Sequence, residues 1–230
     1  ATWTEVGVAV AGDRVSELDE TFVMNLSGAS NATVAAAQAT GTIVNDDAVP
    51  SVSIASVSVN EGNAGSTAAT FVLTLSAASD LPVTVNYATA DGSATAGSDY
   101  TAASGTATFA PGATSTEVAV SVAGDTVSEL DETFVMNLSG AINATIAGAQ
   151  ATGTIANDDV IPSIAIADVS VAEGNAGSTA ATFVLTLSAP SGLPVTVNYA
   201  VADATALLGS DYNPTAGGVT FVPGETTAAL

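Results

Sequence analysis

The sequence predicts an all-β protein built from tandem seven-stranded sandwiches. Three observations carry that expectation. The chain repeats itself at a fixed period. Each period divides into short stretches of alternating apolar and polar residues. Gly- and Pro-rich turns separate those stretches, and no segment has helical periodicity.

The repeat is read directly. Ser16 to Ala29 recurs unchanged at Ser128 to Ala141, an offset of 112 residues. Asn45-Asp46-Asp47 returns as Asn157-Asp158-Asp159, and Glu61-Gly62-Asn63-Ala64-Gly65 returns as Glu173-Gly174-Asn175-Ala176-Gly177. Residues 1–47 differ from 113–159 at only 8 of 47 positions. Near-duplicates of this kind point to a long array. Residues 50–159 form one whole unit. Residues 1–47 match the C-terminal half of a unit and residues 162–230 the N-terminal half of the next. Val49-Pro50 and Ile161-Pro162 mark the joints, because Pro cannot continue a central strand.

Within the whole unit the first strand is expected over Val52 to Val59. The second turns Ala69, Phe71, Leu73 and Leu75 to one face, and the third turns Val83, Val85 and Tyr87. A short fourth covers Thr106 to Phe109. The fifth carries Val118, Val120 and Val122, the sixth Phe134, Met136 and Leu138, and the seventh Ala151, Gly153 and Ile155. Leu81-Pro82 and Pro111-Gly112 are turns. Seven strands in about 110 residues fit an immunoglobulin-like sandwich.

Half a sandwich leaves an apolar sheet face wet and strand edges unpaired. The expectation is that neighbouring polypeptide completes residues 1–47 and 162–230. The donor is either a flanking repeat of a longer chain or a second copy exchanging halves. A start at Ala1-Thr2-Trp3-Thr4-Glu5, with neither a Met nor a signal-peptide pattern, fits a piece of something longer.

Composition excludes several functions. The chain holds 23 Asp and Glu against one Arg, with no Lys, His or Cys, a formal charge of −22. Nucleic-acid binding needs basic residues against phosphate. Anionic lipid needs the same, and no apolar run is long enough to insert in a membrane. The usual bases, nucleophiles and soft-metal ligands are missing. Paired carboxylates can cleave glycosides, but the acids recur without an aromatic sugar platform, so no enzyme is expected. At 47% hydrophobic and 10% charged, the chain is not a disordered one.

The acids are not spread evenly. If successive strands run antiparallel, the first, third, fifth and seventh end at one pole. Glu61 follows the first, Asp91 and Asp99 the third. Asp125, Glu129, Asp131 and Glu132 follow the fifth, and Asp158 and Asp159 the seventh. These are nine of the eleven acids in residues 50–159. Like charges so gathered destabilise a fold unless a counter-charge arrives from solution. Carboxylates from several loops suit a hard cation taking six to eight oxygens, which is Ca2+.

These residues resemble the Calx-beta domain family, found in sodium–calcium exchangers, in an integrin subunit and in large bacterial surface proteins of the adhesin type. The resemblance covers the whole chain. It rests on Val59-Asn60-Glu61-Gly62, on Asp91 through Tyr100, on Phe109-Ala110-Pro111-Gly112, on Asp125 through Phe134, and on Thr154 through Asp159. It implies an immunoglobulin-like sandwich with Ca2+ at one pole. It also implies ligands at Glu61, Asp91, Asp99, Asp125, Asp158 and Asp159. The third copy carries Glu173, Asp203 and Asp211, and the first Asp13, Asp46 and Asp47. Gly124-Asp125-Thr126 holds one Asp where the exchanger has a run, so one or two ions per unit are expected. Leu207-Leu208 replaces Thr95-Ala96, and that loop is expected to pack differently.

The functional expectation is an extracellular or cell-surface structural array stiffened by Ca2+, a fibre, filament or stalk. The alternative is an adhesin module recognising a host or matrix sugar or protein. Near-identical units argue against a calcium sensor. Asn25, Asn31, Asn137 and Asn143 open N-glycosylation triplets, a weak pattern in a Ser/Thr-rich chain. Trp3 is expected to pack locally or at an interface, and Arg14 is either a stand-in for a cation at the acidic pole or a plain surface residue.

Overall fold

The computed structural model describes residues 3–230. Sixteen strands and no helix occur among them, and so no helix long and apolar enough to cross a membrane. In chain order the N-terminal segment holds β1 (Glu20–Asn25) and β2 (Gln38–Ile43). The middle unit holds β3 (Ser51–Ile54), β4 (Val57–Asn60), β5 (Gly65–Leu75), β6 (Val83–Asp91), β7 (Ser104–Phe109), β8 (Ser115–Gly124), β9 (Glu132–Ile142), β10 (Thr145–Ile146) and β11 (Gln150–Ala156). The C-terminal segment holds β12 (Ile164–Ile166), β13 (Val184–Leu187), β14 (Val195–Ala200), β15 (Ala216–Phe221) and β16 (Thr227–Ala229).

The middle unit is a two-sheet sandwich. One sheet runs β10-β3-β5-β8 and the other β4-β11-β9-β6-β7. The alternating apolar residues of facing strands meet between them, as period-two strands require. Val52, Phe71, Leu73, Val83, Val85, Val120, Val122, Phe134 and Met136 are fully or almost fully buried. At the centre, Phe134 takes Phe71 edge-on at 5.8 Å and stacks on Tyr100 at 4.5 Å. Such ring pairs add to area burial because their quadrupoles are offset.

The single first strand expected over Val52 to Val59 is two strands. β3 pairs antiparallel with β5, whereas β4 pairs parallel with β11 in the opposite sheet. The chain changes sheets at Ala55-Ser56. Ala55 N–H still donates to Val72 O at 3.1 Å, and the Ser56 hydroxyl accepts Thr152 N–H at 3.0 Å. Small residues let the backbone cross without a side chain colliding with either sheet.

In the flanking segments, pairing stops where a partner strand is missing. Residues 3–12 are copies of β8 yet form no strand. Residues 169–172 are copies of β4 and are likewise unpaired. β13 is four residues long where its copy β5 has eleven. A two-stranded β1-β2 ribbon, a β12-β13-β16 sheet and a β14-β15 ribbon remain.

The units touch through one contact that recurs. Ser16 bridges Ser79, and 112 residues on, Ser128 bridges Ser191. Ser16 O accepts from Asp80 N–H at 3.1 Å and from the Ser79 hydroxyl at 3.1 Å. Ser128 O accepts Gly192 N–H at 3.0 Å and the Ser191 hydroxyl at 3.5 Å. All four serines are buried. Val160 and Ile161 of the linker are wide open.

Candidate metal centre

Four loops of the middle unit come together at one pole. Gly62 N–H donates to Asp158 Oδ1 at 3.1 Å, tying the β4 exit to the β11 exit. Ala94 N–H donates to Thr133 O at 2.9 Å, tying the β6 loop to the start of β9. Asn157 locks the segment after β8 to the end of β11. Its N–H donates to Asp131 Oδ1 at 3.1 Å, its Oδ1 accepts Glu129 N–H at 3.2 Å, and its Nδ2 donates to Asp159 O at 3.2 Å.

Glu61 sits at the centre of the pole. It is buried, at 7% exposure. Burial pushes its carboxyl up to about 7, and the charges of Asp125, Glu129, Asp159 and Asp158 add to the effect. Burial also raises Asp159, with Asp158 and Asp125 adding their charge. Asp159 Oδ2 is buried without a hydrogen-bond partner. Asp125 Oδ1 is held by Val127 N–H at 2.6 Å.

A second acidic pair lies beside this group. Glu132 is pushed up to about 7, first by burial, then by the charge of Asp99 and a hydrogen bond to it. Glu129 is raised by burial and by Asp125, Asp99 and Asp159, so it faces both groups. Asp91 stands apart. Its Oδ1 accepts Tyr100 Oη–H at 2.7 Å and Ala96 N–H at 2.9 Å, and these bonds hold its carboxyl below the usual range. Asp99 Oδ2 caps the same loop through Thr95 N–H at 2.7 Å. Loop closure is therefore a task of Asp91 that the sequence reading did not assign.

Glu129 and Glu132 were absent from the expected ligand set. Their position after the fifth strand put them in the acid count at the pole. The strand pattern could not show that both side chains are half-buried among the other acids.

In the copies, each half of the pole assembles alone. Asn45 N–H donates to Asp19 Oδ1 at 3.0 Å and its Nδ2 to Asp47 O at 3.1 Å, as Asn157 does. Asp13 Oδ1 accepts Val15 N–H at 2.9 Å, and Asp46 is exposed. Asp203 Oδ1 accepts Tyr212 Oη–H at 2.6 Å and Leu208 N–H at 2.8 Å, and Asp211 Oδ2 accepts Leu207 N–H at 2.8 Å. These are the bonds of the Asp91 loop. The expectation that Leu207-Leu208 would alter this loop fails, because the bonds use backbone N–H groups that any residue supplies. Glu173, the copy of Glu61, is exposed. Arg14 and Trp3 are exposed as well, Trp3 at 76%, so Trp3 has no local packing.

All these donors are oxygens, the set a hard cation takes, and the orphaned Asp159 Oδ2 is the kind of atom a cation would satisfy. Among the described residues no three carboxylates already stand at the mutual spacing of a coordination shell. Mutual repulsion holds ionised carboxylates apart without a counter-ion.

A tandem β-sandwich with its acids gathered at one end of each unit defines the class of protein. Within that class, the chain belongs to the Calx-beta domain family, whose model matches residues 1–47, 45–159 and 156–230. The chain is 46% identical over 57 residues to sodium/calcium exchanger 1 of Canis lupus familiaris and of Bos taurus. That stretch is 25% of this chain and 6% of each exchanger. Among solved structures it is similar to the apo-form Calx CBD1 domain, at 26% identity and a TM-score of 0.42, covering 49% of this chain and 100% of that one. It is also similar to the calcium binding domain CBD12 of CALX1.1, at 22% identity and a TM-score of 0.44, covering 78% of this chain and 73% of that one.

Proposed function

We propose that the chain is a non-catalytic spacer outside the cell, a row of Calx-beta sandwiches stiffened by Ca2+ at the acidic pole of each unit. The observation that carries the metal reading is Glu61, a buried carboxylate faced by four others with no basic group among them. In the middle unit Glu61, Asp125, Asp158 and Asp159 would hold the ion, with Glu129 and Asp99 within the same field. A divalent cation replaces the missing counter-charge and uses the free oxygen of Asp159. Ion binding to the folded state alone stabilises it by mass action.

The array reading rests on the near-identity of the units and on the serine contact that recurs at both joints. A stalk needs units that meet the same way each time. Asp158 and Asp159 precede the linker directly, so a bound ion would also fix the end of β11 against the joint.

The test is thermal melting of the chain in chelator, then with added Ca2+ and, separately, Mg2+. With Ca2+ at about 100 times its Kd the gain is about 2.7 kcal/mol, a shift of several degrees. An unchanged melting temperature in Ca2+ overturns the metal reading.

A further inference from the structure

We infer that the residue at positions 80 and 192 sets how tightly successive units meet, so that the joint before the middle unit is looser than the joint after it. The serine contact is common to both joints, but the residue beside it is not. Asp80 follows Ser79, whereas Gly192, its copy 112 residues on, follows Ser191. Both positions lie in the joint itself. Asp80 N–H donates to Ser16 O at 3.1 Å, and Gly192 N–H donates to Ser128 O at 3.0 Å. Gly192 sits against Glu129 of the preceding unit. A Cβ placed on it would lie 2.6 Å from Glu129 Oε1 and 2.9 Å from Glu129 Cγ. Gly192 is not in the left-handed region, so its backbone makes no demand for glycine. What the glycine supplies is room for the Glu129 side chain across the joint.

Asp80 carries the side chain that Gly192 lacks, so Glu17, the copy of Glu129, cannot lie across its joint in the same way. Glu17 is half-buried and meets Asp80 instead. Its carboxyl is raised by burial, then by the charges of Asp13, Glu20 and Asp80, and by a hydrogen bond to Asp80. Of these acids only Asp80 belongs to the next unit. Glu129 is raised by burial and by Asp125, Asp99 and Asp159, all of its own unit. Arg14, the one basic residue of the chain, is not among the charges that act on Glu17. Two carboxylates facing each other across a joint repel when both are ionised. That repulsion works beside the bonds to Ser16 and has no counterpart beside the bonds to Ser128. A row of such units would therefore carry firm and yielding joints, chosen by one residue after the second serine. The inference concerns the joints alone and does not need an ion at the pole.

The experiment is double electron–electron resonance across each joint of the 230-residue chain. The chain has no Cys, so a pair introduced at chosen positions takes spin labels uniquely. Gln38→Cys with Thr108→Cys spans the first joint, and Gln150→Cys with Thr220→Cys spans the second at the copied positions. All four residues are exposed. The width of each distance distribution is read in chelator at low salt, where exposed charges are least screened. The expected result is a wider distribution across the first joint than across the second. Asp80→Gly is expected to narrow the first towards the second, and Gly192→Asp to widen the second towards the first. Equal widths at the two joints overturn the inference, and so do exchanges that leave both widths unchanged. Asp80→Asn keeps the side chain and removes the charge. It is expected to narrow the first joint and to lessen its salt dependence, and a width kept at that of Asp80 overturns repulsion as the cause. Melting curves of each variant are expected to match the parent chain, which separates a change in joint width from unfolding. Reading in chelator keeps failure here distinct from failure of the metal reading.

Discussion

Two residues show what single side chains decide here. Glu61 has its carboxyl pushed up to about 7 from an ordinary 4.5 by burial and by the facing Asp125, Glu129, Asp158 and Asp159. The folded protein therefore takes up a proton near pH 7, and the unfolded chain only near 4.5. That stability is complete below 4.5 and lost as pH rises through about 7. Without metal, the chain is expected to melt at a higher temperature at pH 5 than at pH 8, with a gain on the order of 1 kcal/mol. Saturating Ca2+ is expected to reverse the trend, because the ion needs the ionised form. Melting curves at both pH values, with and without Ca2+, check this. A metal-free protein that melts lower at pH 5 contradicts the reading of Glu61. Gly153 lies opposite Phe134 across β9 and β11, and a Cβ there would collide with the ring. Gly153→Ala is expected to cost about 1–3 kcal/mol, the usual price of overpacking, measured by urea unfolding. Gly41 faces Phe22 in the same way, so the constraint belongs to the repeat.

Among the elements, the first strand shows how far alternation can be trusted. Val52 and Ile54 share one phase and Val57 and Val59 the other, so the alternation itself shifts at Ala55-Ser56, which the expectation of one strand passed over. Which sheet each half joins depends on two different partners, β5 and β11, far away in sequence. The acidic loops show the converse. The Asp91 and Asp203 loops, and the Asn45 and Asn157 clamps, close through bonds within or between neighbouring segments. They form with or without the other half of the sandwich. Only the burial of Glu61 needs both halves, which is why Glu173 is exposed. Asn157→Ala removes the two side-chain hydrogen bonds of the clamp, to Glu129 N–H and Asp159 O, and keeps the backbone N–H bond to Asp131. It is expected to cost on the order of 1–2 kcal/mol and to weaken Ca2+ binding, read by melting and by calorimetric titration. Unchanged Ca2+ affinity would mean that the clamp does not shape the pole.

For the whole molecule, the proposed stiffness would have to be set at the joints. The notion that ions beside the linker limit bending has a structural companion in the buried serine contact. Val160 and Ile161 are too exposed to hold the units. Ser128 O is instead gripped by the next unit through Ser191 and Gly192. Gly192 also leaves space for Glu129, whose carboxylate would meet any side chain placed there. Replacing both Ser79 and Ser191 by Ala removes the hydroxyl bond from each joint. The pair is expected to broaden the distribution of long distances in small-angle scattering and to leave the melting of the middle unit within about 1 kcal/mol. An unaltered distribution would place the stiffness elsewhere.

The sequence by itself determined the period, the strand positions, the two-sided core and the gathering of acids at one end. Each follows from local pattern or from direct repetition, and chain direction alone carries every second strand to the same pole. Only the tertiary structure decided which acids face one another. It set Glu61 inside the pole, placed Glu129 and Glu132 within the field of the other acids and assigned Asp91 to Tyr100. It also chose the sheet that each half of the first strand joins and placed the serines in the joints. These depend on contacts between residues tens of positions apart, where burial and charge act through space and no periodicity along the chain records them.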